Sequence, residues 1–121
     1  MAKGEKLMRM IIYRKVGTTI IELHGVISPE DAIILKEEFH RLVNEEGHLE
    51  VIVDLSKVTY LDISGVKALK SLKDIISKYE GSCKFINPQP KIKNQLDQNR
   101  ITGLEFTKGT GNLPKIKLGF G

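Results

Sequence analysis

The chain alternates between short runs of branched apolar residues and longer stretches in which apolar side chains recur every three or four positions. Met8 to Arg14 and Thr18 to Leu23 read as two strands. Lys15-Val16-Gly17 forms the tight reversal that makes them an antiparallel hairpin. Gly25 is expected to break the second strand. Ser28-Pro29-Glu30-Asp31 then opens a helix, with Ser28 as N-cap, Pro29 at the first helical position and two acids suited to the positive end of the dipole. Ala32, Leu35, Phe39, Leu42 and Val43 form its buried stripe, Glu37, Glu38 and Arg41 face water, and Gly47 ends it.

The segment from Leu49 to Gly81 organises the rest. Val51-Ile52-Val53 is a blunt β-branched run, as expected of a strand covered on both faces, and the predicted strand covers 50–54. After a turn, Asp62 stands where an N-cap belongs, which puts Ser64 in the first turn of a helix. Free N–H groups and the dipole favour an anion at such a place. Apolar residues at 66, 69, 72, 76 and 79 place one face of that helix in the core, and Gly81 is expected to supply the positive φ that ends it. Ser82-Cys83-Lys84-Phe85-Ile86 contains the next strand, over 83–86, closed by Asn87-Pro88. Pro90 starts a shorter helix with Ile92, Leu96 and Ile101 buried and Gly103 at its end. Leu104-Glu105-Phe106 gives a last short strand.

The order β-β-α-β-α-β-α-β defines an α/β domain. Right-handed βαβ crossovers imply a mixed sheet of four to five strands, begun by a hairpin and packed with three to four helices. The domain is expected over residues 8–107, between an N-terminal tail, 1–7, and a C-terminal extension, 108–121, in which Ile116 to Leu118 could add an edge strand. At 121 residues, 40% apolar and 28% charged, the chain suits one soluble domain. No apolar run reaches the ~18 residues of a membrane span, and no signal peptide is legible. The single cysteine, Cys83, excludes an internal disulfide, suits a reducing cytoplasm and reads as a buried, inert thiol.

The net charge of +4 belongs to the ends. Residues 1–15 carry five basic and one acidic side chain, residues 108–121 carry three basic and none acidic, and the part between has a net charge of −3. No aromatic and arginine clustering suited to base stacking accompanies them, so nucleic acid is not expected as a partner. Catalytic templates fit poorly. Asp62 and Val66 stand where a nucleophile elbow around Ser64 requires glycines. His24, His40 and His48 show no metal-ligand spacing and read as surface or cap residues, and no phosphate-binding loop is present. The expectation is a protein that is not an enzyme and needs no cofactor or metal.

The stretch Val51-Ile52-Val53-Asp54-Leu55-Ser56-Lys57-Val58-Thr59-Tyr60-Leu61-Asp62-Ile63-Ser64-Gly65 resembles the signature of STAS domains, the fold of bacterial anti-sigma factor antagonists and of sulfate-transporter C-terminal domains. The element order and the Asn87 to Pro90 turn agree with it. The resemblance implies a cytoplasmic module whose unphosphorylated form binds an anti-sigma factor that is also a serine kinase, releasing a sigma factor. It implies phosphorylation of Ser64 as the off-switch and a phosphatase as the reset. Asp62, Ile63, Ser64, Gly65 and Lys67 would form the partner surface with Gly25, Ile27 and Ser28 of the loop after the second strand. Two positions depart from the family pattern: Ser28 replaces the usual Asp of that loop, and Ile63 the usual Ser or Thr. Lys67, Lys70 and Lys73 follow on the polar helix face, either simply solvated or facing an acidic partner or a Ser64 phosphate. Two other readings are an adaptor subunit of a lipid-transporting membrane ATPase and a ligand-sensing domain of the stressosome type. A monomer or weak dimer, without membrane insertion, is expected.

Overall fold

A computed structural model describes residues 8–106. Five strands, β1 Arg9–Lys15, β2 Thr18–Ile27, β3 Glu50–Leu61, β4 Ser82–Ile86 and β5 Leu104–Glu105, form one sheet in sequence order. β1 pairs antiparallel with β2, and every later pair is parallel. Three helices provide the crossovers: α1 Pro29–His40, α2 Ile63–Lys78 and α3 Pro90–Gln98. The expected α/β architecture is therefore present, with the hairpin turning through Val16 and Gly17 at positive φ. The expectation for Ile116 to Leu118 lies outside the described residues.

One core holds the sheet to the helices. Ile21, Leu23 and Ile27 of β2, Val51, Val53 and Leu55 of β3, and Cys83 and Phe85 of β4 meet Leu35 and Phe39 of α1. Leu69, Leu72 and Ile76 of α2 and Ile92 and Leu96 of α3 close it. Burial of this apolar area is the main favourable term in folding. Cys83 belongs to that core, and burial pushes its thiol up to about 12, so it is inert as expected.

Several local expectations are corrected. β2 does not stop at Gly25; it runs on to Ile27, with Gly25 buried at φ 90°. β3 does not stop at 54, and no turn follows it; the strand continues to Leu61. Its pairing with β2 slips between Glu22 and His24 and again between Gly25 and Val26. Each slip inserts one extra residue on β3, a bulge that moves the inward positions from Leu55 to Val58 and then to Leu61. That shift of parity made the polar residues from 56 to 60 look like a turn.

α1 passes into a π-helical turn, Arg41–Glu45, which keeps Leu42 and Val43 buried before Gly47 at φ 71°. Tyr79 is not on the buried stripe of α2. The helix ends at Lys78, so Tyr79 is about half exposed and its hydroxyl donates to Asn44 Oδ1 at 2.9 Å. The positive φ at this end belongs to Glu80, not Gly81. Gly81 is needed because a Cβ there would lie 2.3 Å from the Leu49 carbonyl oxygen. Similarly α3 ends at Gln98 and turns at Arg100, φ 58°, while Gly103 serves the entry to β5.

His48 is buried, unlike the surface or cap residue expected. Its Nδ1 lies 2.9 Å from the hydroxyl of fully buried Thr19, and its Nε2 is 3.3 Å from Glu46. Burial, with Arg14 and Arg41 nearby, holds its pKa below the usual 6.5 despite Glu46. A group whose folded pKa is depressed binds its proton more readily when unfolded, so its contribution is present above 6.5 and declines as the pH falls below it. Chemical denaturation across that range should show stability falling on acidification, and His48→Gln should flatten this dependence. An unchanged slope in the variant would remove His48 from the account.

Candidate functional site: the α2 N-terminus at the carboxyl edge of the sheet

The bulges in β3 deliver Leu61 to the core and turn Asp62 out at the carboxyl end of the parallel strands. The Asp62 N–H donates to the Ile27 carbonyl at 3.0 Å, so the ends of β2 and β3 are tied side by side. The loop carrying Ser28 and the start of α2 thus form one surface. Each begins a helix by the same device. Ser28 caps α1 in a reciprocal box with Asp31: the Asp31 N–H donates to Ser28 Oγ at 3.2 Å, and the Ser28 N–H to Asp31 Oδ2 at 3.0 Å. Asp62 caps α2, its Oδ2 accepting the Ser64 N–H at 2.8 Å.

The same Asp62 oxygen accepts the Ser64 hydroxyl proton. Bonds from the Ser64 hydroxyl and the Ser64 and Ile63 N–H groups hold the Asp62 carboxyl below the usual range. The free N–H groups expected at this helix start are therefore largely taken: Gly65 and Val66 donate to the Asp62 carbonyl at 2.8 and 3.1 Å. A carboxylate of the chain already holds the anion position.

Of the residues singled out in the sequence, Asp62, Ser64 and Ser28 are half-buried at this edge, and Ile63 and Lys67 are exposed. Gly65, Gly25 and Ile27 are buried beneath it. A Cβ on Gly65 would lie 2.7 Å from Leu61 Cδ1 and 3.0 Å from Ile27 Cγ2, so glycine lets α2 start directly on the two strand ends. Ile27 and Gly65 support the surface from below. Lys70 is exposed like Lys67, but Lys73 leaves the polar face and donates to the Cys83 carbonyl at 3.3 Å.

The sequence pattern did not single out three exposed apolar side chains at this end. Ile63 is joined by Tyr60, 52% exposed at the end of β3, and by Ile33 and Ile34 early in α1. Their signal is faint: Ile33 and Ile34 sit beside the stripe positions 32 and 35, where an apolar residue is surplus to the core. Among the described residues no cluster of potential metal ligands occurs, and no helix is long and apolar enough to cross a membrane.

A mixed sheet with sequential parallel strands, one helical layer and an Asp-x-Ser-Gly helix start defines a small α/β fold class. The STAS domain pattern matches residues 9–108, and the chain belongs to the STAS domain family. Its backbone is similar to the anti-sigma factor antagonist SpoIIAA in its unphosphorylated form, at a TM-score of 0.74 and 12% identity, covering 93% of this chain and 99% of that one. An anti-sigma factor antagonist from Mycobacterium paratuberculosis gives 0.70 at 18% identity, covering 92% and 95%. The murine anion transporter Slc26a9 gives 0.61 at 17% identity, covering 76% of this chain and 16% of that one. No curated protein sequence matches the chain.

Asp62 should be the main stabiliser of this helix start. Asp62→Ala is expected to lower the midpoint of denaturant unfolding, whereas Asp62→Asn, which still caps, should recover most of the loss. Equal losses in both variants would assign the effect to the charge instead of the cap.

Proposed function

We propose that this domain is an anti-sigma factor antagonist switched by phosphorylation of Ser64. The observation that carries the reading is the setting of that hydroxyl: half-buried at the first turn of α2 and bonded to the Asp62 carboxylate, with Ile63 and Lys67 exposed on the same first turns of the helix. The unmodified protein would bind an anti-sigma factor with serine kinase activity and so release a sigma factor. Transfer of the terminal phosphoryl group of ATP to Ser64 by that kinase would end the binding, and a phosphatase would restore it. Asp62, Ile63, Ser64 and Lys67, with Ser28 alongside, would supply the contacts, while Gly65, Gly25 and Ile27 hold the surface in shape.

Electrostatics make such a switch local. A phosphate adds a charge of about −1.5 to −2 at pH 7. Because the Asp62 carboxylate occupies the helix N-terminus, the new anion gains little from the dipole and stands beside a like charge. The helix need not refold; the surface offered to a partner becomes strongly negative. Desolvating unmatched like charges at an interface costs several kcal/mol, and each ~1.4 kcal/mol is tenfold in affinity.

The fold favours a surface over a pocket. Ligand crevices in open α/β sheets arise where the strand order reverses and neighbouring helices leave on opposite faces. Here the parallel strands follow one another without reversal.

Capture from the source cells with the wild-type protein, Ser64→Ala and Ser64→Asp tests the proposal. The first two are expected to retain a serine kinase and Ser64→Asp to lose it. Equal retention by all three would end the switch reading and favour a constitutive adaptor.

A further inference from the structure

α1 and α2 both run back from the carboxyl edge, side by side on the sheet, and each turns one face away from it. On α1 that face carries Glu30, Ile33, Ile34 and Glu37, all exposed and at the spacing of a single helical stripe. On α2 it carries Ile63, Lys67, Lys70 and Asp74, likewise exposed and three or four residues apart. Ile33, Ile34 and Ile63 are 61%, 50% and 51% exposed, and among the described residues no other isoleucine is exposed. Exposed apolar side chains gathered on one outer face and rimmed by charge mark an interaction surface.

The charges of the two stripes are opposite and unpaired. Glu30 and Glu37 on α1, and Lys67 and Lys70 on α2, form no ion pair with a described residue. Nearby charges do find partners within the chain: Arg41 pairs with Glu38 and Glu46, and Lys93 with Asp97. One chain thus presents an acidic stripe and a basic stripe together, and a second copy brings each of them its complement.

Symmetry selects the arrangement. A two-fold axis along the helices, between α1 and α2, lays α1 of one copy on α2 of the other, in parallel and twice over. An axis across the helices would set α1 on α1, acid against acid. Counted from the first helical residues, Pro29 and Ile63, Ile33 stands level with Lys67 and His40 with Asp74. Glu37 and Lys70 differ in height by one residue, ~1.5 Å.

We infer that the outer face of α1 and α2 is a two-fold dimer interface between copies of this chain, with Ile33 and Ile34 covered by the Ile63 and Lys67 turns of the second copy and Glu37 paired with Lys70. The dimer covers Ile63 and Lys67, so it and the proposed kinase complex exclude each other. The dimer itself rests on exposure and charge alone and stands independently of the phosphorylation switch.

Sedimentation velocity on the purified full-length protein tests it. A monomer–dimer equilibrium that moves toward monomer as salt is added is expected. Glu37→Lys and Lys70→Glu each oppose like charges at both copies of the contact and should weaken dimerisation by about tenfold or more. An equimolar mixture of the two variants pairs the reversed charges and should restore the dimer, as should a single chain carrying both substitutions. Wild-type protein that stays monomeric at every concentration, or a dimer that neither substitution weakens, would overturn the inference. So would weakened variants whose reversed charges, brought together, fail to restore pairing.

Discussion

Parallel pairing of consecutive strands is the constraint on which the molecule depends. Each crossover must turn the same way, so α1 and α2 start side by side at the carboxyl edge and share one core with α3. That core brings Phe39, Leu69, Leu72 and Phe85 together and fixes where every strand ends. Among the described residues the same constraint leaves one face of the sheet without a helix. The exposed helix starts and the helix-free face are two consequences of one topology.

At the carboxyl edge a single residue links fold and site. The Asp62 backbone N–H reaches back to β2, its carbonyl takes the next two helical N–H groups, and its side chain holds both the Ser64 amide and hydroxyl. Capping and positioning of the serine are therefore one act. The proposed phosphate on Ser64 would meet a close-packed support, since a Cβ on Gly65 would run into Leu61 and Ile27, and its effect would be expressed outward as charge.

Much of this was legible because the core helices and central strands keep their periods. The cap residues Ser28 and Asp62, the Cys83 strand, the buried Ile92, Leu96 and Ile101, and the element order follow directly from local patterning. The errors fall where a period is deliberately broken. Two bulges changed the parity of β3 and hid its second half, and Gly25, read as a stop, instead adopts the positive φ that lets β2 continue beside them. Gly81 was assigned a conformational role when its reason is contact with the Leu49 carbonyl, a long-range fact absent from local sequence. Tyr60, Ile33 and Ile34 escaped notice as surface residues because their exposure is decided by packing of other elements.

Intact-mass spectrometry of the protein recovered from its source cells, with fragmentation to locate any modification, tests the central claim most directly. The account predicts a phosphorylated fraction carrying its phosphate on Ser64 under some growth or stress conditions. Protein that carries no phosphate under any of them, or carries it only at another residue, would contradict it.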